Sequence, residues 1–196
     1  MYNFKSNDCL PDGYACDTDR DFLALAEIKT LINGFAFIDT SKTRISGGEP
    51  SLRKDLPDII KACSSAINIE HVAMTSNCFK LEADIQKWVN AGLDSLNISI
   101  HSLDPRMFVA ITGHNKLETI MRGIDKALAL CVKVKINAVL IKQYNEQELQ
   151  NFLTWLKATP VTLRLFELMQ TGDKKATHWL QVGYAGATKH IAMLSG

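Results

Sequence analysis

Several things are scarce in this sequence. A dominant charge is missing: 22 Lys and Arg stand against 21 Asp and Glu, for a net charge of +1. No global basic field draws the chain to nucleic acid or to a membrane surface, and neither is an expected partner. No stretch of about 18 apolar residues occurs, so no transmembrane helix is expected. Met1 leads at once into polar Asn3, Lys5, Ser6, Asn7 and Asp8, not into a basic segment followed by an apolar one, so no secretory signal is expected. A paired cysteine framework is missing as well. Cys9, Cys16, Cys63, Cys78 and Cys131 are odd in number and scattered, which argues against disulfides and for the cytoplasm. Repeats, low-complexity runs and linkers are also absent.

What remains is globular. The chain has 196 residues, 46% of them hydrophobic, enough for one domain with a sizeable core. Strand and helix patterns alternate along it. Helices are expected over Phe22–Phe35, Leu52–Ala66, Leu81–Ala91, Leu117–Leu130 and Glu146–Lys157, with a short one after Asp104-Pro105. Pro57 is expected to kink the second helix or delay its start. Strands are expected at Thr43–Ser46, His71–Thr75, Leu96–Ile100, Val132–Ile141 and Val161–Leu168. Five alternations with short connections indicate an α/β fold with a parallel sheet. Two architectures fit that pattern: an open doubly wound sheet and a closed or partial barrel.

The stretch Thr43-Arg44-Ile45-Ser46-Gly47-Gly48-Glu49-Pro50 carries the first chemical signal. A strand runs into two glycines, whose bare backbone lets a ligand approach its N–H groups. Alone, this is equally an ordinary β–α turn.

The strands carry the second signal. Strands buried on both faces read as continuous apolar runs. Here Leu96, Ile98 and Ile100 alternate with Asn97, Ser99 and His101, while Val134, Ile136, Ala138 and Leu140 alternate with Lys135, Asn137, Val139 and Ile141. Helices must cover the apolar side, so the other side faces inward. That side gathers Arg44, Ser46, Thr75, Asn97, Ser99, His101, Lys135, Asn137 and Arg164. Burying three cations without partners costs several kcal/mol each. A barrel holding an anionic ligand, such as a nucleotide phosphate, removes that cost.

These residues resemble a known family. Ile45-Ser46-Gly47-Gly48-Glu49-Pro50-Ser51-Leu52-Arg53 is similar to the GGEP loop of radical S-adenosylmethionine (SAM) enzymes. Four further stretches resemble the GTP 3′,8-cyclase branch of that family, which acts in molybdenum cofactor (molybdopterin) biosynthesis. They are Cys9-Leu10-Pro11-Asp12-Gly13-Tyr14, Asn97 through Asp104, Ala110-Ile111-Thr112-Gly113 and Glu167-Leu168-Met169-Gln170-Thr171-Gly172. The resemblance implies a partial (β/α)6 TIM-like barrel of the radical SAM type, truncated, over residues 1–172, with an irregular, divergent tail at 173–196 for which disorder is an open reading. It implies a [4Fe–4S] cluster and SAM as cofactors. It implies a lyase that converts GTP to 3′,8-cyclo-7,8-dihydro-GTP through a 5′-deoxyadenosyl radical, with a homodimer as an open partner reading. By position, Gly47, Gly48, Glu49, Ser99 and Met169 match contacts to SAM, and Arg44, Thr75 and Lys135 match contacts to GTP. No catalytic side chain is assigned.

The sequence also departs from the family pattern. The family's Cys-x3-Cys-x2-Cys motif falls on Tyr2, Ser6 and Cys9, so Cys9 is the one metal ligand retained. The first family strand and the C-terminal cluster region have no counterpart. Asn77-Cys78 stands where Asn-Gly is usual, and His101 where Asp is usual. Cys63 and Cys131 fall in helix patterns and are expected in the core. The expectation for the chain as written is little or no cyclase activity. The competing reading is a relic that at most binds SAM or a nucleotide.

Overall fold

The computed structural model describes residues 23–140 and 147–167. Five strands form one sheet: β1 (Lys42–Ile45), β2 (His71–Ser76), β3 (Ser95–Ser99), β4 (Lys133–Leu140) and β5 (Thr162–Glu167). All four neighbouring pairs are parallel, and the spatial order is the chain order, β1-β2-β3-β4-β5. A doubly wound sheet reverses its order at a switch point. This sheet has no such reversal, so it winds in one direction, as a barrel does. The second of the two expected architectures is the one formed: a partial barrel.

The helices are α1 (Leu25–Phe37), α2 (Leu56–Ser65), α3 (Leu81–Asn90), α4 (Pro105–Thr112), α5 (Leu117–Ala129) and α6 (Glu148–Leu156). Their local causes are readable. The helix expected from Leu52 is split. Pro50–Leu52 forms a 3-10 turn, and α2 starts only at Leu56, with Pro57 in its first turn, where the missing N–H costs nothing. Arg53 grips Asp55 with two hydrogen bonds, at 2.9 and 2.7 Å, and so fixes the corner between the two pieces. Asp104 caps α4 by accepting from the Met107 N–H at 2.8 Å, Pro105 takes the first helical position, and Gly113 at φ 73° closes it. Helices α3 and α5 touch across Gly123. A Cβ there would lie 2.8 Å from a Leu81 side-chain carbon and 2.9 Å from the Glu82 nitrogen, so only glycine permits the approach.

The apolar face of the sheet packs under these helices. Val72, Met74, Leu96, Ile98, Ile100, Val134, Ile136 and Ala138 are all buried, and they share one core with Ile60, Leu81, Ile85, Ile120, Ile124 and Phe152. Fully burying an aliphatic side chain stabilises by about 1.5–3 kcal/mol, so this face is where the fold draws its stability. No described helix is long and apolar enough to cross a membrane.

Candidate functional site

The strand register builds the opposite face. Arg44 pairs with Ala73; Thr75 pairs with Asn97, Asn97 with Lys135 and Lys135 with Thr162; Ser99 pairs with Asn137 and Asn137 with Arg164. Paired residues of parallel strands point to the same side. Arg44, Thr75, Asn97, Ser99, Lys135, Asn137 and Arg164 of the expected polar set therefore lie on one face, with Lys42, His71, Ser95 and Lys133 added at its strand-start end, while Ser46 and His101 fall beyond the ends of β1 and β3. Lys42 and Lys133 escaped the sequence reading. The signal for both was present, because each lies two residues before a cation already placed on that side.

The electrostatics of this face are one-sided. It carries Lys42, Arg44, Lys133, Lys135 and Arg164, and no Asp or Glu occurs in its columns. Among the described residues, the ion pairs involve Arg53, His71, Lys87 and Arg122, and none involves these five cations. Burial first, then the like charges of Arg164, Lys42, Arg44 and Lys133, hold the Lys135 ammonium pKa below the usual lysine value. Folding has thus gathered cations against their mutual repulsion, which an anion relieves. The neutral groups are partly tied: Asn97 donates to the Met74 carbonyl at 3.5 Å and to Thr75 Oγ1 at 3.4 Å.

The glycine loop sits where β1 ends, at the same sheet end as the Ser76-Asn77 turn. Gly47 has φ 154°, in the range that favours glycine. Gly48 has no such φ, and a Cβ added to it would meet nothing within 4 Å. The fold itself does not demand glycine there, so its backbone stands open to a ligand. Glu49 joins the two loops. One carboxylate oxygen accepts from Ser76 Oγ at 2.7 Å and from the Ser51 N–H at 3.0 Å, and the other accepts from the Asn77 N–H at 2.7 Å. That carboxylate is spent on protein donors. It stitches the loop after β1 to the loop after β2, and so positions Gly47 and Gly48.

Two further side chains organise the rim. His101 is buried just beyond β3, and its Nδ1 accepts from the Val139 N–H at 3.1 Å, which ties β3 to β4. Burial pushes its pKa down to about 4, so the imidazole is neutral at pH 7. Glu148, at the start of α6, accepts from the backbone N–H groups of Leu103 and Asp104 at 2.8 and 3.3 Å, anchoring the loop after β3.

The cysteines divide. Cys63 is on the buried side of α2, as expected, and burial raises its thiol pKa to about 11. Cys78 is fully buried at φ 61°, and burial raises its pKa further. It holds a backbone conformation in which glycine is the easier residue. Cys131 departs from the core expectation: it is exposed, at φ 61°, in the turn after α5. Helix α5 ends at Ala129, so the helical stripe does not reach it. Among the described residues, no group of three or more His, Cys, Asp or Glu is arranged to hold a metal ion. Cys9, Met169 and the tail 173–196 lie outside the described residues. Of the expected site residues within them, Arg44, Thr75, Ser99 and Lys135 share the polar face, and Gly47, Gly48 and Glu49 border it.

Comparison with known proteins bears on this arrangement. Residues 15–156 match the profile of the Radical SAM superfamily. The GTP 3′,8-cyclase of Tolumonas auensis is 50% identical over 175 residues, an alignment covering 89% of this chain and 52% of that protein. The GTP 3′,8-cyclase of Shewanella denitrificans is 51% identical over 171 residues, covering 87% of this chain and 51% of that protein. The chain thus spans about half the length of the curated relatives it matches. Among solved structures, a domain of pyruvate-formate lyase-activating enzyme from Bacteroides vulgatus superposes with a TM-score of 0.54 at 22% identity, covering 73% of this chain and 92% of that one, a likeness of fold.

Proposed function

The chain belongs to the Radical SAM superfamily, and from that premise we propose that it is a GTP 3′,8-cyclase-type protein of molybdenum cofactor biosynthesis. Its polar face takes the nucleotide and its glycine loop takes SAM. The observation that carries this reading is the set of five cations on that face with no carboxylate among them. A triphosphate supplies the missing negative charge, and Arg44, Lys135 and Arg164 meet it with charge-assisted hydrogen bonds. Thr75 and Ser99 add neutral groups beside them.

The residues fit SAM in one respect. The open backbone of Gly47 and Gly48 would hold its amino-acid end, with Glu49 keeping the loop in place. When bound, SAM is the radical precursor. Met169 and Ser99 complete the proposed SAM set. The residues do not fit a three-thiolate [4Fe–4S] site. The motif positions offer Tyr2, Ser6 and Cys9, and the thiols of Cys63 and Cys78 are buried and held protonated. The chain's own residues bind and orient the ligands.

That mismatch favours a second reading for the chain as written: it binds nucleotide and SAM without turnover. Anaerobic iron–sulfide reconstitution separates the two. One brown [4Fe–4S] species per chain, with SAM cleavage on reduction, supports the enzyme and overturns the binding-only reading. A colourless protein that binds GTP does the reverse.

A further inference from the structure

Three side chains at the strand-start end of the sheet take no part in the proposed nucleotide site. His71 opens β2 and Ser95 opens β3. Their side chains meet across the two strands, with His71 Nε2 2.9 Å from Ser95 Oγ. His71 Nδ1 faces the Asp94 carboxylate, 3.7 Å from Oδ2. Asp94 is held twice by Val72: its N–H donates to the Val72 carbonyl at 3.0 Å, and its Oδ2 accepts from the Val72 N–H at 2.7 Å. The ladder between β2 and β3 joins the strands without this network. The glycine loop lies at the opposite end of the sheet, after β1.

A nucleophile within hydrogen-bond reach of a base, and a base oriented by a third group, is the arrangement that activates a serine. The roles follow from the distances. The Asp94 carboxylate draws the imidazole proton to Nδ1, which leaves the Nε2 lone pair to accept from the Ser95 hydroxyl. The contact at Nδ1 is longer than a hydrogen bond, so Asp94 orients the ring by charge. Cations flank the pair: Lys133 is in register with Ser95, and Lys42 with His71. An ammonium group stabilises an oxyanion as it develops. Ser95 is only 5% exposed, so the substrate it admits carries a small acyl group.

We propose that Ser95, His71 and Asp94 form a hydrolytic site for small acyl esters, an activity independent of the nucleotide reading. Ser95 Oγ attacks the acyl carbon while His71 Nε2 takes its proton. The bond to the leaving oxygen breaks, and His71 passes the proton to that oxygen, which departs as the alcohol. The acyl group stays on Ser95. Water then attacks the acyl carbon and gives a proton to His71. The bond to Ser95 Oγ breaks, and Oγ recovers that proton. The products are one alcohol and one carboxylic acid, with no oxidant or reductant consumed. Ser95 and His71 are the catalytic residues, and Asp94 is a positioning residue.

The test uses the full chain and two small probes. One is p-nitrophenyl acetate, read by release of nitrophenol. The other is methanesulfonyl fluoride, which sulfonylates an activated serine with loss of fluoride and is read by peptide mass spectrometry. The fluoride reagent should mark Ser95 in wild type and leave it unmarked in His71→Gln. Ester turnover should fall about 100-fold in Ser95→Ala and in H71Q, the lower end of what a positioned general base supplies. The residue of that rate is the background from exposed nucleophiles such as Cys131. Asp94→Asn should lower kcat and leave KM unchanged, a split that a loss of folding does not give. A wild-type chain whose Ser95 stays unmarked overturns the proposal, and so does an S95A rate equal to that of wild type. The labelling of wild type needs no variant, so it is decisive even where a variant fails to fold.

Discussion

One sheet presents two faces that obey opposite rules. On the apolar face, Met74, Leu96, Ile98 and Ile136 are buried under helices in one apolar core. On the polar face, Arg44, Lys135 and Arg164 stand among further cations, with no carboxylate partner among the described residues. Residues adjacent in the chain alternate between these worlds, as Ile98 does with Ser99. The first face is built so that the fold is stable without help. The second gathers like charges, whose mutual repulsion an anion relieves. Stability and binding are therefore separable here by parity of residue number within a strand.

The largest break in that comparison comes from the apolar face. Ile98→Ala leaves a cavity under the helices and should cost about 2–5 kcal/mol in urea unfolding. Its neighbour on the polar face, Ser99→Ala, should cost under about 0.5 kcal/mol. A second test is acid. His101 has a folded pKa near 4, against 6.5 for the ordinary group. Above pH 6.5 both states are neutral there and stability does not depend on this residue. As pH falls from 6.5 toward 4, the unfolded chain takes a proton that the folded one refuses, so stability falls, by up to about 3 kcal/mol at roughly 1.4 kcal/mol per pH unit. His101→Gln should flatten the unfolding curve across that window.

Smaller effects sharpen the contrast from the binding side. Lys135→Gln should weaken GTP binding about 10-fold, roughly 1.4 kcal/mol, while the thermal midpoint holds or rises because cation repulsion is relieved. Smallest in stability is Gly48→Ala. Its Cβ meets nothing within 4 Å, so unfolding should shift by under about 0.5 kcal/mol. SAM binding should nevertheless weaken measurably by calorimetry, because the methyl group occupies the space above the loop.

Much of this was legible in the sequence, for physical reasons. Side-chain period in a strand is two, so the alternation of Leu96, Ile98 and Ile100 with Asn97, Ser99 and His101 places every residue on its face before any coordinates. The Asp104-Pro105 start and the Gly113 stop of α4 were equally visible, since caps are local chemistry. Strand order was not visible: alternation of strand and helix fits both a switched and an unswitched sheet. Nor was the engagement of Glu49. Its partners Ser76 and Asn77 lie 27 and 28 residues away, and nothing in the local pattern joins the two loops. Cys131 shows a third limit, because the helix it extends by pattern ends two residues earlier in a left-handed turn.

The most direct measurement is GTP affinity as a function of salt, on wild type and on the Arg44→Gln, Lys135→Gln pair variant. If the polar face is a nucleotide site, wild-type binding weakens as salt rises, and the pair variant binds at least about 10-fold more weakly with a flatter salt dependence and an undiminished thermal midpoint. Wild-type and variant chains that bind GTP alike, at every salt concentration, contradict the account.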